Sequence, residues 1–212
     1  MRRHMLVVAA LGLAACGGGG YGGGGGGGGN VAGTLAGAPF TPADMGALIV
    51  SPTSCTVSGQ TVYVAAIVIG FGSWANLCGY VQTNGLLCAN KANATISSVI
   101  VAKAGLSPQT AVGPGTYQVY SQFQPDANGN FTGVSAGYNK TNGMCTLTAQ
   151  SNGSGGTVTI SSTSYGVSGT LNSVAFADGS NLSGSFDAAI CNYSLDICGF
   201  INNTCTTPTC IQ

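Results

Sequence analysis

The grouping closest to a catalytic signature is Gly133-Val134-Ser135-Ala136-Gly137. It has the spacing of the GxSxG elbow, in which a strained strand-to-helix turn presents a serine nucleophile. That chemistry needs a base to take the serine proton, and histidine is the usual one. The only histidine is His4, so Ser135 has none downstream, and the motif lies inside an alternating strand pattern with no turn. A serine–lysine pair would call on Lys91, Lys103 or Lys140, but none follows a serine at the S-x-x-K spacing. Lysine on strand ends discourages edge pairing. Paired carboxylates could hydrolyse a glycoside. Five aspartates and no glutamate are present, and Asp126 and Asp178 stand in turn sequences, where aspartate bonds its own backbone. Asp126-Ala127-Asn128-Gly129-Asn130 is oxygen-rich, yet Phe131 and Gly137 occupy the places where a calcium loop needs glycine and an acid. The residues therefore predict no catalytic, cofactor or metal site. After Cys16 only three lysines face five aspartates. A surface with so few cations does not neutralise a run of phosphates, which excludes nucleic acid as a partner.

Cysteine is the other reactive type. Beyond Cys16 there are eight: Cys55, Cys78, Cys88, Cys145, Cys191, Cys198, Cys205 and Cys210. An even number without CxxC spacing and without histidine argues for structural disulfides over metal or redox sites. The expected pairs are Cys145 with Cys191, near the ends of core strands, and Cys78 with Cys88 across a short loop, although side-chain parity sets Cys145 and Cys191 on different faces. Cys55, Cys198, Cys205 and Cys210 are the remaining disulfide candidates, with no partner assigned. The segment from 192 onward, with three cysteines, is expected to be pinned to the domain.

The first residues indicate where such a chain is sent. Met1-Arg2-Arg3-His4 is basic, and residues 5–15 are apolar throughout. That run is about half of what a membrane-spanning helix needs, so it reads as a signal peptide. Its end, Leu13-Ala14-Ala15-Cys16, resembles the lipobox of bacterial lipoproteins. The resemblance implies cleavage before Cys16 and acyl chains on that residue, with the bilayer as a partner. Gly17 follows in place of an acid, which resembles lipoproteins forwarded to the outer membrane of Gram-negative cells. Residues 17–29 are glycine except for Tyr21. A tether of that composition is flexible, with a root-mean-square span of about 20 Å. The divisions are thus 1–15 signal peptide, 16–30 lipidated cysteine and tether, and 31–212 one domain.

Residues 31–212 read as strand after strand. Residues 62–71 are apolar on both parities, as in a central strand covered on both faces. Segments 94–103, 115–123, 130–138, 144–150 and 156–163 alternate and are rich in β-branched residues. Segments 165–177 and 181–191 flank Asp178-Gly179, a hairpin signal, and Asn128-Gly129, Asn142-Gly143 and Asn152-Gly153 punctuate the others. Short helical turns are expected at Thr41–Asp44 and at Ser73–Leu77. The predicted class is all-β: an antiparallel sandwich, or alternatively a closed barrel, stapled by disulfides. An outer-membrane barrel is disfavoured because the strands read as shorter than the 9–11 residues one requires, and aromatic girdles are not evident.

The opening Gly33, Gly37 and Phe40, the Pro114–Tyr117 turn and the Ser-Gly-Ser-Phe-Asp-Ala run before Cys191 resemble β-rich, Cys-bridged lipoproteins of Gram-negative bacteria, a group with no characterised activity. That resemblance covers residues 31–192 loosely. The expected function is a membrane-anchored, non-catalytic β domain that meets a protein or glycan partner. The alternative is a barrel carrying a small apolar ligand, similar to lipocalin-type carriers. Thiol titration of the purified chain, unfolded without reductant, should detect no free thiol among the eight cysteines, and two or more would reinstate a metal or redox role.

Overall fold

In a computed structural model the described residues are 28–84, 89–122, 125–202 and 209–212. Seven long strands carry the fold: β4 (Asp44–Val57), β5 (Gln60–Gly72), β7 (Thr95–Gly105), β9 (Phe131–Thr141), β10 (Leu147–Ser162), β11 (Val167–Phe176) and β12 (Asn181–Ile190). Shorter strands are β1 (Gly28–Gly29), β2 (Ala32–Leu35), β3 (Ala38–Phe40), β6 (Ala89–Lys91), β8 (Gly115–Gln118) and β13 (Thr209–Ile211). Two helices, α1 (Leu77–Asn84) and α2 (Ile197–Asn202), complete the described elements.

The hydrogen-bonded path runs β11-β10-β9-β7-β5-β4-β12, and β12 pairs again with β11, so the path returns on itself. These neighbours are antiparallel except β12 with β4, which is parallel. β10 and β12 each serve two layers. The first part of β10 pairs with β9 and the rest with β11 and β8, and register shifts between Gly153 and Thr157 fall at the change. Bulges of this kind bend a strand from one sheet into the next. The sandwich and the barrel expected from sequence therefore describe one set of pairings.

Strand β5 explains the layering. Ala65, Ile67, Ile69 and Phe71 point to one side, where they join Val99, Val101, Val134 and Tyr138 from their own layer and Leu171, Phe176, Leu182 and Phe186 from the facing one. Phe71 meets Phe186 edge to face with ring centroids 6.0 Å apart, and Tyr138 meets Phe176 at 5.2 Å. The alternate residues Val62, Val64, Ala66 and Val68 form a second core with Tyr80, Val81, Tyr193 and Ile197 from α1 and the C-terminal segment. The strand expected to be covered on both faces is so covered.

Opposite that cover, the outer face of β8, β10 and β11 is polar. Thr116 and Thr159 hydroxyls lie 3.0 Å apart, Ser161 and Ser168 3.1 Å apart, and the Asn172 amide donates to both Thr157 and Thr159. An apolar inside and a hydroxyl-bearing outside invert the pattern of a membrane barrel. This corrects the earlier ground for excluding one, since several strands are 10–16 residues long.

Other expectations shift locally. The hairpin across Asp178-Gly179 forms, with Leu171 opposite Gly184. Segments 144–150 and 156–163 are not separate strands, because Asn152-Gly153 lies within β10 as part of its bulge. Thr41–Asp44 is not helical: Ala43 donates to the Gly72 carbonyl, and Asp44 opens β4. The turn expected at Ser73–Leu77 lies earlier than α1, for which Asn76 is the cap, its Oδ1 accepting from Gly79 N at 3.2 Å.

Changing Phe71 to Ala should lower unfolding free energy by about 3–5 kcal/mol, while changing the fully exposed Tyr165 to Ala should stay within about 0.5 kcal/mol. Denaturant midpoints with disulfides intact measure both.

Candidate functional site

The five aspartates are the only acids available, and four of them are committed to main-chain N–H groups. Asp44 accepts from Met45 N at 2.8 Å and from Leu77 N at 2.7 Å, so it serves β4 and the first turn of α1 together. Asp126 accepts from Asn128 N and Asn130 N, forming a turn rather than a cation loop. Asp196 caps α2 by accepting from Gly199 N at 2.9 Å. Asp178 accepts from Ser180 N at 3.2 Å in the β11–β12 turn.

Asp178 also anchors the one described cluster with clear protonation shifts. Tyr138 points inward from β9, and its phenol donates to Asp178 Oδ2. Ser180 Oγ donates to the same oxygen at 2.8 Å, and Ala36 N donates to both the Tyr138 phenol and Ser180 Oγ. A tyrosine buried among apolar side chains needs a partner for its hydroxyl, and this cluster supplies it. Burial raises the Tyr138 pKa, and the bond to Asp178 raises it further. For Asp178 burial also acts upward, but the hydrogen bonds from Tyr138 and Ser180 outweigh it and hold the carboxyl below its ordinary value. The cluster thus ties β9, the β2–β3 turn and the β11–β12 turn together. Sequence reading missed Tyr138 and Ser180. The available signal was a tyrosine on the inward parity of an alternating strand.

The remaining candidates are scattered. Ser135 sits in mid-β9 opposite Ile100, on a strand and not on an elbow. Lys103 Nζ donates to Thr110 Oγ1 and to the Ala111 carbonyl, and Lys91 Nζ donates to the Gln212 carbonyl. Among the described residues no group of three or more His, Cys, Asp or Glu is placed to hold a metal ion.

The cysteines form Cys55–Cys198, Cys78–Cys191 and Cys145–Cys210. Both expected pairs are corrected. Cys145 lies in the turn between β9 and β10, where it meets Cys210, whereas Cys191 follows β12, which joins that layer only beyond β7, β5 and β4. Cys78 stands in the first turn of α1, directed at that end of β12, and so bonds Cys191. Cys88 and Cys205 lie outside the described residues, as does Cys16. The C-terminal segment is pinned as expected, by Cys198 to β4 and by Cys210 of β13 to the β9–β10 turn. Taken singly, a bridge closing loops of 65–143 residues constrains the unfolded chain by about 4–5 kcal/mol. Such bridges place the folded chain in an oxidising, extracytoplasmic environment.

No protein-family model matches the chain, and neither a curated protein nor a solved structure matches it.

The cluster carries a pH dependence of known sign. The lowered Asp178 pKa contributes stability above the unfolded carboxyl pKa of about 4 that is lost as pH falls through the folded value. The raised Tyr138 pKa contributes below the unfolded phenol pKa of about 10 and is lost as pH rises through the folded one. Tyr138→Phe should cost about 1.5–3 kcal/mol at neutral pH, the loss shrinking below the carboxylate range, as read from unfolding curves at several pH values.

Proposed function

We propose that the protein is a lipoprotein held to a membrane, in the outer membrane of a Gram-negative cell, by acyl chains on Cys16, with a non-catalytic β domain presented beyond a glycine tether. The observation that carries the anchoring is Leu13-Ala14-Ala15-Cys16 followed by the glycine run. The domain end is consistent with a tether entering there: Gly28 and Gly29 pair with Asp187 and Phe186 at the edge of β12. The non-catalytic reading is supported by four aspartates occupied as main-chain acceptors and by the absence of histidine beyond His4. General acid–base catalysis near neutral pH relies on a group that titrates there.

Between the two readings of the domain, the packing favours an interaction module over a carrier. Side chains from the two layers meet across the interior through Phe71 with Phe186 and Tyr138 with Phe176. The same β5 residues that would line a ligand chamber are engaged with the facing layer. A partner for the hydroxyl-bearing face of β8, β10 and β11 is a neutral one, protein or glycan, and not a polyanion.

Replacing Cys16 with Ala should abolish labelling by a fatty-acid probe and shift the chain out of the detergent phase. A variant that still partitions with detergent overturns the anchor.

A further inference from the structure

The closed sheet path has one thin place. β4 and β5 pair from Asp44 opposite Gly72 to Val57 opposite Gln60, and β5 with β7 and β7 with β9 are paired over comparable lengths. Among the described residues, β12 and β4 meet in register only through Ala189 with Gly46 and Ile190 with Ala47. One more main-chain bond follows, from Cys191 N to the Ala47 carbonyl at 2.8 Å.

The Cys78–Cys191 bridge lies directly over this seam. Cys191 is the residue after β12, and Cys78 belongs to α1, whose first N–H groups include Leu77 N, bonded to Asp44 of β4. The bond therefore ties the end of β12 covalently to α1, and the Leu77–Asp44 hydrogen bond ties α1 to β4, so the two links together bridge the junction. The fit is close enough to dictate the sequence beneath it. A Cβ at Gly46 would stand 2.8 Å from Cys191 Sγ and 3.1 Å from Cys78 Sγ, closer than packed atoms settle. The other two bridges do different work. Cys55–Cys198 fastens α2 to the far part of β4, and Cys145–Cys210 fastens β13 near the β9–β10 turn.

We propose that Cys78–Cys191 is a reducible latch on the sheet: opening this one bond parts β4 from β12 while the rest of the paired path stays closed. The step is thiol–disulfide exchange with an external dithiol. A thiolate attacks one sulfur, forming a mixed disulfide and releasing the other as a thiol. The second thiol of the reagent then displaces the remaining cysteine, so Cys78 and Cys191 are reduced by two electrons and the dithiol is oxidised to its disulfide. Cys78 is the half-buried partner and Cys191 the buried one. Local opening confined to a weak junction is a sub-global event, distinct from unfolding.

Hydrogen exchange on the full chain tests this. The double variant Cys78→Ser, Cys191→Ser should exchange about tenfold or more faster over 46–50 and 186–191, with β7 and β9 changing by less than about twofold. The control Cys55→Ser, Cys198→Ser should leave the seam protected. If either variant fails to fold, the native chain is partly reduced with dithiothreitol, alkylated and separated by which bond is open, and the same comparison is made on those species. Faster exchange spread evenly over β5, β7 and β9, or unchanged exchange at the Cys191 amide when its bond is open, overturns the latch.

Discussion

Residues 62–71 leave β5 without a solvent-facing side, and an apolar strand of this kind has to be covered on both faces before it is stable. The inner cover comes from within the sheet system, because β10 and β12 bend across and bring β11 and its neighbours over Ile67, Ile69 and Phe71. The outer cover has no such source. It is assembled from one short helix and a C-terminal segment that contains only a six-residue helix. Elements this short bury too little to hold themselves in place. Cys78–Cys191 and Cys55–Cys198 take over that task, so the need for disulfides follows from the second face of one strand.

The same shortage governs polar groups. With three lysines and five aspartates after Cys16, the fold has little charge to spend on surface ion pairs, which contribute modestly in any case. Its carboxylates are placed where a charged acceptor does most, against fixed N–H groups at turns and helix starts. Asp44 serves a strand and a helix at once, and Asp178 serves a turn while holding the buried hydroxyl of Tyr138. Serine, threonine and asparagine then provide the wetted surface that charged residues provide elsewhere.

Periodicity made the strands legible, since alternation and β-branched residues report on the faces of a sheet directly. The two-sided character of residues 62–71 and the hairpin at Asp178-Gly179 were readable for the same local reason. Cysteine partners were not, because Cys78 and Cys191 are 113 residues apart and meet only once β12 has reached β4. Asn152-Gly153 reads as a turn but lies in a bulge, where the same conformational freedom bends β10 between layers. Thr41-Pro42-Ala43-Asp44 carries helix-start residues, yet Ala43 is drawn into a bond with Gly72 and Asp44 caps a helix that begins 33 residues later. Local propensity yields there to a partner far along the chain.

The junction at Asn30 has a mechanical consequence. A row of glycines has no side chains to fix its register against a neighbouring strand. The first residues that do so are Asn30, whose Oδ1 accepts from Ser185 N and Oγ, and Val31, which is 1% exposed. Gly184 opposite must lack a side chain, since a Cβ would stand 2.5 Å from the Asn30 carbonyl. β2 then continues antiparallel to β12, with Ala32 facing Ser183 and Thr34 facing Asn181. A pull on the chain ahead of Gly28 acts along this strand, so the hydrogen bonds to β12 are loaded together in shear and not peeled one at a time. Among the described residues, Asn30 and Val31 are the first whose side chains share that load.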